Sequence, residues 1–373
     1  MVPGSADTDP PPARLSDPDA VIAAVDARLA AFLAEAAAQA ARISPAAAEL
    51  YDPIRAFARR GKRIRALALR WGFEAAGGDA ARQPGIDDAC VAVELLHAAA
   101  LIHDDIIDES ETRRGSPAVH TAFARSHAEH GFSGAPAHFG TAAAIIAGDL
   151  CLSLSEQAHA RTGLPHAGAP EAVRRHDDLR RDVMLGQFLD IRIQAAPIAA
   201  GDIRERAMEV LTYKSAKYSV EQPLLLGAAL AGAGPELLAA LSAFGLPLGR
   251  AFQLRDDELG VFGDPEATGK PAGDDLLQGK RTVLVGMALT RLDAEDAAWL
   301  TAHLGDPGIG AADLGRMREL LRASGAVDEH EALISAEEGA AAAALSRLGE
   351  LGLGDADLAA LRAYAGRLTR RAA

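Results

Sequence analysis

Residues 94 to 115 read ELLHAAALIHDDIIDESETRRG, an apolar run that has to be buried yet ends in acid. Its spacing predicts a buried helix with Asp104, Asp105 and Asp108 at the C-terminal end and with Arg113 and Arg114 just beyond. Asp104 and Asp108 are four apart, so on a helix they project from one face about 5.4 Å from each other. Like charges held that close beside apolar side chains resist ionisation unless something relieves them. One relief is a hard divalent cation. The ligands are all oxygen, no His or Cys pair stands at zinc spacing, and Mg²⁺ is commonly held by one or two carboxylates together with substrate phosphates. The other relief is solvation of an acidic helix end neutralised by the two arginines, and this stretch alone leaves both open.

The rest of the chain bounds the answer. Alanine and leucine dominate, aromatics are 4% and β-branched runs are scarce, so an all-α fold is expected. Residues 1–17, rich in Pro, Asp and Ser, are expected to form a disordered tail, and residues 18–373 one all-α domain. The net charge of −14 argues against nucleic acid as a partner. Cys90 and Cys151 are too few for a disulfide framework, which fits a reducing cytoplasm. No charge-free apolar run is long enough for a transmembrane helix, and the N-terminus lacks the pattern of a signal peptide.

Only five of the 38 basic residues are lysine: Lys62, Lys214, Lys217, Lys270 and Lys280. A chain that uses arginine for generic positive charge makes each surviving lysine a candidate for a specific contact, with Lys217 the weakest of the five. In GKRIR, residues 61–65, Lys62, Arg63 and Arg65 open a predicted helix. Basic residues there oppose the macrodipole, so either a bound anion such as phosphate compensates them or they form a solvated turn. A loop is predicted over 126–138. In the helix around 186–190, Gln187 and Asp190 share a face and need partners, which substrate, metal-bound water or a neighbouring helix would supply. Lys214 and Ser215 are placed at a break between two helical patterns. A long apolar helix from about Pro235 carries Asp256 and Asp257 at its terminus and is ended by Gly260, Gly263 and Pro265, and the loop to Arg281 carries Lys270 and Lys280.

Taken together and in order, GKRIR, ELLHAAALIHDDIID with RRG, GQFLD at 186–190, YKS at 213–215 and FQLRDDELGVFGDP…TGK…GKRT at 252–282 resemble the trans-isoprenyl diphosphate synthases, the polyprenyl synthetases, and among them the geranylgeranyl diphosphate synthases. The resemblance covers roughly residues 59–282. It implies an isoprenoid synthase-type helical bundle around a deep central cavity, usually a homodimer, with the two aspartate-rich helix ends facing each other across the mouth. It further implies that Asp104, Asp108 and Asp256 hold about three Mg²⁺ ions bridging an allylic diphosphate. Arg113, Lys214 and Lys270 would contact that diphosphate, with Asp105, Asp257 and Lys280 also in the site. Isopentenyl diphosphate would sit on Lys62, Arg65, His97 and Arg114, and Gln187, Gln253 and the Lys214–Ser215 backbone would lie near the reacting carbon. His97, seven before Asp104 and so on nearly the same face, is read as a ligand rather than a core histidine.

One position departs from the pattern: Gly260 stands where the second acidic region usually carries a third aspartate. Chain length is argued from Ala100 and Ala99, four and five before Asp104. Family members that stop at fifteen carbons typically have an aromatic residue at one of them. Two methyl groups leave the shaft open, which predicts a twenty-carbon product, geranylgeranyl diphosphate, with a product of twenty-five carbons or more as the alternative and with Leu96 and residues on neighbouring helices as candidates for the floor. The rival readings fit less well. A class I terpene cyclase would need an Asn/Ser/Glu second metal site; a helical phosphohydrolase would need more histidines at helix spacing; and a catalytically weak partner subunit would have lost a motif that this chain retains.

Overall fold

The computed structural model describes residues 14–59, 61–113, 115–197, 199–263, 273–306 and 308–370. The architecture is all-α, and helix α5 (Gly85–Ile107) occupies its centre. Around it pack α1 (Pro18–Ala41), α3 (Tyr51–Ala58), which follows the single turn α2 (Pro45–Ala48), then α4 (Ile64–Ala75), α6 (Val119–Glu129) and α7 (Pro136–Ala160). A second group comprises α8 (Pro170–Ala195), α9 (Ala200–Val210), a π-helical segment (Leu211–Glu221), α10 (Gln222–Leu230) and α11 (Pro235–Phe262). The π-helical segment bridges α8 and α11, and α10 lies along α4. The helices Val283–Leu289, Ala294–His303, Ala311–Ala323, Ala326–Glu350 and Asp355–Thr369 follow, with Ala326–Glu350 packed along α11.

Local chemistry explains the boundaries that matter. Asp17 caps α1, its carboxylate accepting from the N–H groups of Asp19 and Ala20 at 3.0 Å each, and Pro18 opens the first turn. Residues 14–17, assigned from sequence to a disordered tail, are fastened instead. The N–H groups of Arg14 and Leu15 donate to Asp357, and Ser16 donates to Glu74 through both its N–H and its hydroxyl. Helix α5 ends in a Schellman arrangement in which Ser110 N–H reaches the Asp105 carbonyl at 2.9 Å. Glu109 takes the left-handed position at φ 51°, a place usually left to glycine. That reversal leads into the two-stranded hairpin Thr112–Arg113/Ser116–Pro117, which carries Arg113 back toward the end of α5.

Three expectations change. The loop predicted over 126–138 shrinks, because α6 runs to Glu129 and α7 begins at Pro136. No helix break occurs at Lys214 and Ser215. The chain stays helical there but widens to a π-helix, a variant that shifts which side chains share a face and is common at functional sites. Asp256 and Asp257 do not terminate their helix; α11 continues to Phe262 and is capped by Gly263, one of the residues expected to end it. Helices α7 and α11 are long and apolar enough by composition to cross a membrane, yet both pack here as elements of the bundle.

Gly186 sets how closely α8 meets the π-helical segment. A Cβ there would lie 2.3 Å from the Lys214 backbone nitrogen and 2.6 Å from its Cα. Gly186→Ala therefore has to push Lys214 away, and we expect a loss of about 1–3 kcal/mol in urea denaturation. An unchanged midpoint would disprove this packing.

Candidate active site

The C-terminal half of α5, the start of α4, the middle of α8, the π-helical segment and the C-terminal half of α11 surround one cavity of about 660 Å³. Its wall holds Lys62, Arg65, His97, Ala100, Asp104, Arg113, Gln187, Lys214, Ser215, Gln253, Asp256 and Lys280. These side chains come from segments as far apart as residues 62 and 280, and only the tertiary fold brings them together. Arg114 and Lys270 lie outside the described residues.

Asp104 is the hub. Its Oδ1 accepts from Gln187 Nε2 at 3.0 Å and Lys214 Nζ at 3.3 Å, while its Oδ2 faces Arg113 Nη2 at 3.4 Å. Burial opposes its ionisation, but Lys214, Lys280 and Arg113 outweigh that and hold the carboxyl below its ordinary value. Lys214 also reaches Asp190 at 2.5 Å, which answers the question of that buried carboxylate's partner. Asp108 is pushed up by burial and by its neighbour Asp104, and its Oδ2 lies 3.5 Å from Lys280 Nζ. The same ammonium lies 3.5 Å from Asp275. Burial tends to neutralise Lys280, but Asp275, Asp108 and Asp104 together raise its pKa, so it stays charged.

The second aspartate of each pair faces elsewhere. Asp105 is fully buried and clasps Arg113, whose Nε donates to it at 2.7 Å. Burial raises its pKa despite that arginine. Asp257 accepts from Gln253 Nε2 at 2.7 Å, and burial together with Asp275 pushes it well up. Neither lines the main cavity, so these two carboxylates orient Arg113 and Gln253 rather than point into it. Ala99 likewise turns into the buried cluster of Leu95, Ile102 and Ala147, leaving Ala100 as the one of the two alanines on the cavity wall. Leu96 is buried in the core cluster with Val93 and is not on that wall.

At the basic end, Arg63 and Arg65 separate in role. Arg63 is buried, pairing with Asp26 at 2.7 Å and Glu94 at 2.9 Å, and holds the start of α4 in a left-handed turn at φ 49°. Arg65 stacks on Tyr218, its guanidinium carbon 4.3 Å from the ring centroid, and donates to Ser219 at 2.7 Å, while Lys62 is exposed at the cavity rim. Tyr218, Ser219, Val183 and Phe252 also line the wall and were not foreseen. The π-helix that turns Tyr218 and Ser219 inward leaves no trace in hydrophobic spacing, so nothing in the sequence marked them.

Oxygen donors at Asp104, Asp108 and Asp256 suit a hard cation such as Mg²⁺. Among the described residues, no three His, Cys, Asp or Glu side chains gather closely enough to hold a metal alone. That accords with a metal shell completed by the oxygens of a phosphorylated ligand.

Lys280 separates two acidic groups, so its removal should be costly. We expect Lys280→Met to lose about 3 kcal/mol by denaturant titration, the cost of leaving buried carboxylates without their counter-charge. The deficit should be larger near pH ~8 than near pH ~5. Wild-type Lys280, with its raised pKa, is charged at both. In the variant Asp108, already raised by burial and by Asp104, loses a counter-charge, so its penalty grows as pH climbs above the unfolded range. An equal deficit at both pH values would contradict the pairing.

Comparison with known proteins agrees with the geometry. The chain is 35% identical over 273 residues to the (2E,6E)-farnesyl diphosphate synthase of Mycobacterium bovis, covering 71% of this chain and 68% of that one. It is 31% identical over 268 residues to the geranylgeranyl diphosphate synthase of Mycobacterium tuberculosis, covering 71% and 69%. The crystal structure of geranylgeranyl pyrophosphate synthase from Corynebacterium glutamicum, complexed with isoprenyl diphosphate and magnesium, superimposes with a TM-score of 0.86 at 39% identity, over 96% of this chain and 100% of that one. The sequence model of the polyprenyl synthetase family matches residues 47–321, and with both acidic helices and the basic residues around one cavity, this chain belongs to the polyprenyl synthetase family.

Proposed function

We propose that the protein is a Mg²⁺-dependent prenyltransferase that condenses isopentenyl diphosphate with an allylic diphosphate (dimethylallyl, geranyl or farnesyl) and that its product is geranylgeranyl diphosphate. The observation that carries this reading is the facing of Asp104 on α5 and Asp256 on α11 across one cavity also lined by Lys62, Arg65, Arg113, Lys214 and Lys280. An anion with several charges is what such a wall binds.

About three ions, held by Asp104, Asp108 and Asp256, would supply Lewis-acid charge to the diphosphate as it leaves. Lys214, Lys280 and Arg113 stand beside those carboxylates and neutralise the same developing charge, which is worth most in a site shielded from water. Gln187 orients Asp104 and presents its amide toward the cavity. Lys62 and Arg65, at the other end of the wall with His97, form the seat for the diphosphate of isopentenyl diphosphate. The double bond of that substrate attacks the allylic cation, a new carbon–carbon bond forms, and a proton leaves to the departed diphosphate. No side-chain nucleophile takes part.

Identity does not decide product length, because the two mycobacterial relatives carry names with different products at similar identity. The wall supports the twenty-carbon product: at Ala100 it offers only a methyl group, with Leu101 and Val183 beside it. Incubation with Mg²⁺, labelled isopentenyl diphosphate and each allylic primer should give a twenty-carbon alcohol after dephosphorylation. Ala100→Phe should shift the main product to fifteen carbons. Absence of condensation with every primer would overturn the activity, and an unshifted product in the variant would overturn the role of Ala100.

A second copy of the chain is the proposed partner. Met184, Leu185, Phe188 and Ile191 form an exposed stripe on α8, and Ile145 and Ile146 are exposed on α7. A large apolar stripe left in water is characteristic of a covered interface. Light scattering should give twice the chain mass, and Leu185→Glu with Phe188→Glu should halve it; a monomeric wild type would refute the dimer.

A further inference from the structure

The gap that Gly260 leaves in the second acidic region is filled from another segment. A Cβ built on Gly260 would lie 1.9 Å from Oδ2 and 2.5 Å from Cγ of Asp275. The carboxylate of Asp275 thus occupies the volume that a side chain at position 260 would enter. Asp275 belongs to the short helix Asp274–Leu277, is buried at 6% exposure, and lies 3.5 Å from Lys280, the lysine that also touches Asp108. With Asp256, Asp257, Lys214 and Lys280 it lines a small cavity of about 90 Å³, and five of that cavity's lining residues, Lys214, Ser215, Gln253, Asp256 and Lys280, also line the large one.

A purely structural aspartate would need only its lysine. It would not need to enter the side-chain space of α11 one turn beyond Asp256, nor to face the cavity that Asp256 faces. We propose that Asp275 supplies the third carboxylate of the second acidic cluster, through space rather than along α11, and positions the Mg²⁺–diphosphate assembly together with Asp256. The proposal rests on the functional reading above. It carries a counterintuitive corollary: restoring aspartate at position 260 alone should harm the site, because the new side chain meets Asp275, and like charges would be forced together.

The test is calorimetric titration of Mg²⁺ into protein with inorganic diphosphate, for wild type, Asp275→Asn, Gly260→Asp and Gly260→Asp/Asp275→Ala, with circular dichroism to confirm folding. Asp275→Asn keeps the shape and removes the charge, and we expect it to weaken Mg²⁺ binding by about tenfold or more. Gly260→Asp alone should also weaken it, whereas the double variant, which returns the carboxylate to α11, should bind within about threefold of wild type. Wild-type affinity in Asp275→Asn, or a double variant no better than Gly260→Asp, overturns the proposal while leaving the activity intact. A wild-type protein that binds no Mg²⁺ with diphosphate overturns the functional reading itself, and the proposal with it.

Discussion

The structure depends on pairing several carboxyl groups with cations in a place where water is scarce. Asp104, Asp108, Asp190 and Asp275 are tolerable there because Lys214 and Lys280 each bridge two of them. Each lysine is buried enough to want neutrality and is kept ionised by the acids around it. A compact ammonium on a flexible stem suits this role better than the planar guanidinium fork, which explains why lysine persists at these positions in a chain that otherwise prefers arginine. The rest of the local fold serves the same end. Gly186 brings α8 against the Lys214 backbone, the π-helical segment widens to aim Lys214 and Tyr218 inward, and the hairpin returns Arg113 to Asp105.

A division of labour follows from helix geometry. Neighbouring residues on a helix point about 100° apart, so of each two consecutive aspartates one lines the large cavity and the other does not. Asp104 and Asp256 line it. Asp105 and Asp257 do not line the large cavity, burial raises both, and each takes a hydrogen-bond donor that it then holds in place: Arg113 for one, Gln253 for the other. The paired acid motif therefore supplies one carboxylate to the large cavity and one anchor at each helix.

What the sequence made legible were features written in local periodicity and residue type. The helical class, the course of α5, the acidic ends and the five lysines as candidates all rest on spacing and on the chemistry of single side chains. Where the reading failed, the cause was non-local. The stretch around Lys214 has polar residues interrupting an apolar pattern, which suggests a break. The structure keeps it helical because α8 and α11 pack along it and a π-turn absorbs the mismatch. The acids at 256 and 257 have the pattern of a helix end, yet α11, packed along the π-helical segment and the helix Ala326–Glu350, runs through to Phe262. Residues 14–17 have the composition of a tail, and Asp357, Glu74 and Trp71, from remote helices, hold them down.

By itself the sequence determined the fold class, the oxygen-rich chemistry of the site and the family pattern, because these depend on side-chain identity and on intervals of three, four and seven residues. Only the tertiary structure decided which members of each motif face the cavity, that Ala100 rather than Ala99 lines it, and that the space opposite Gly260 is taken by Asp275. Those outcomes depend on the rotation of one helix against another and on approaches of a few ångströms between residues far apart in the chain. No interval along the sequence encodes them.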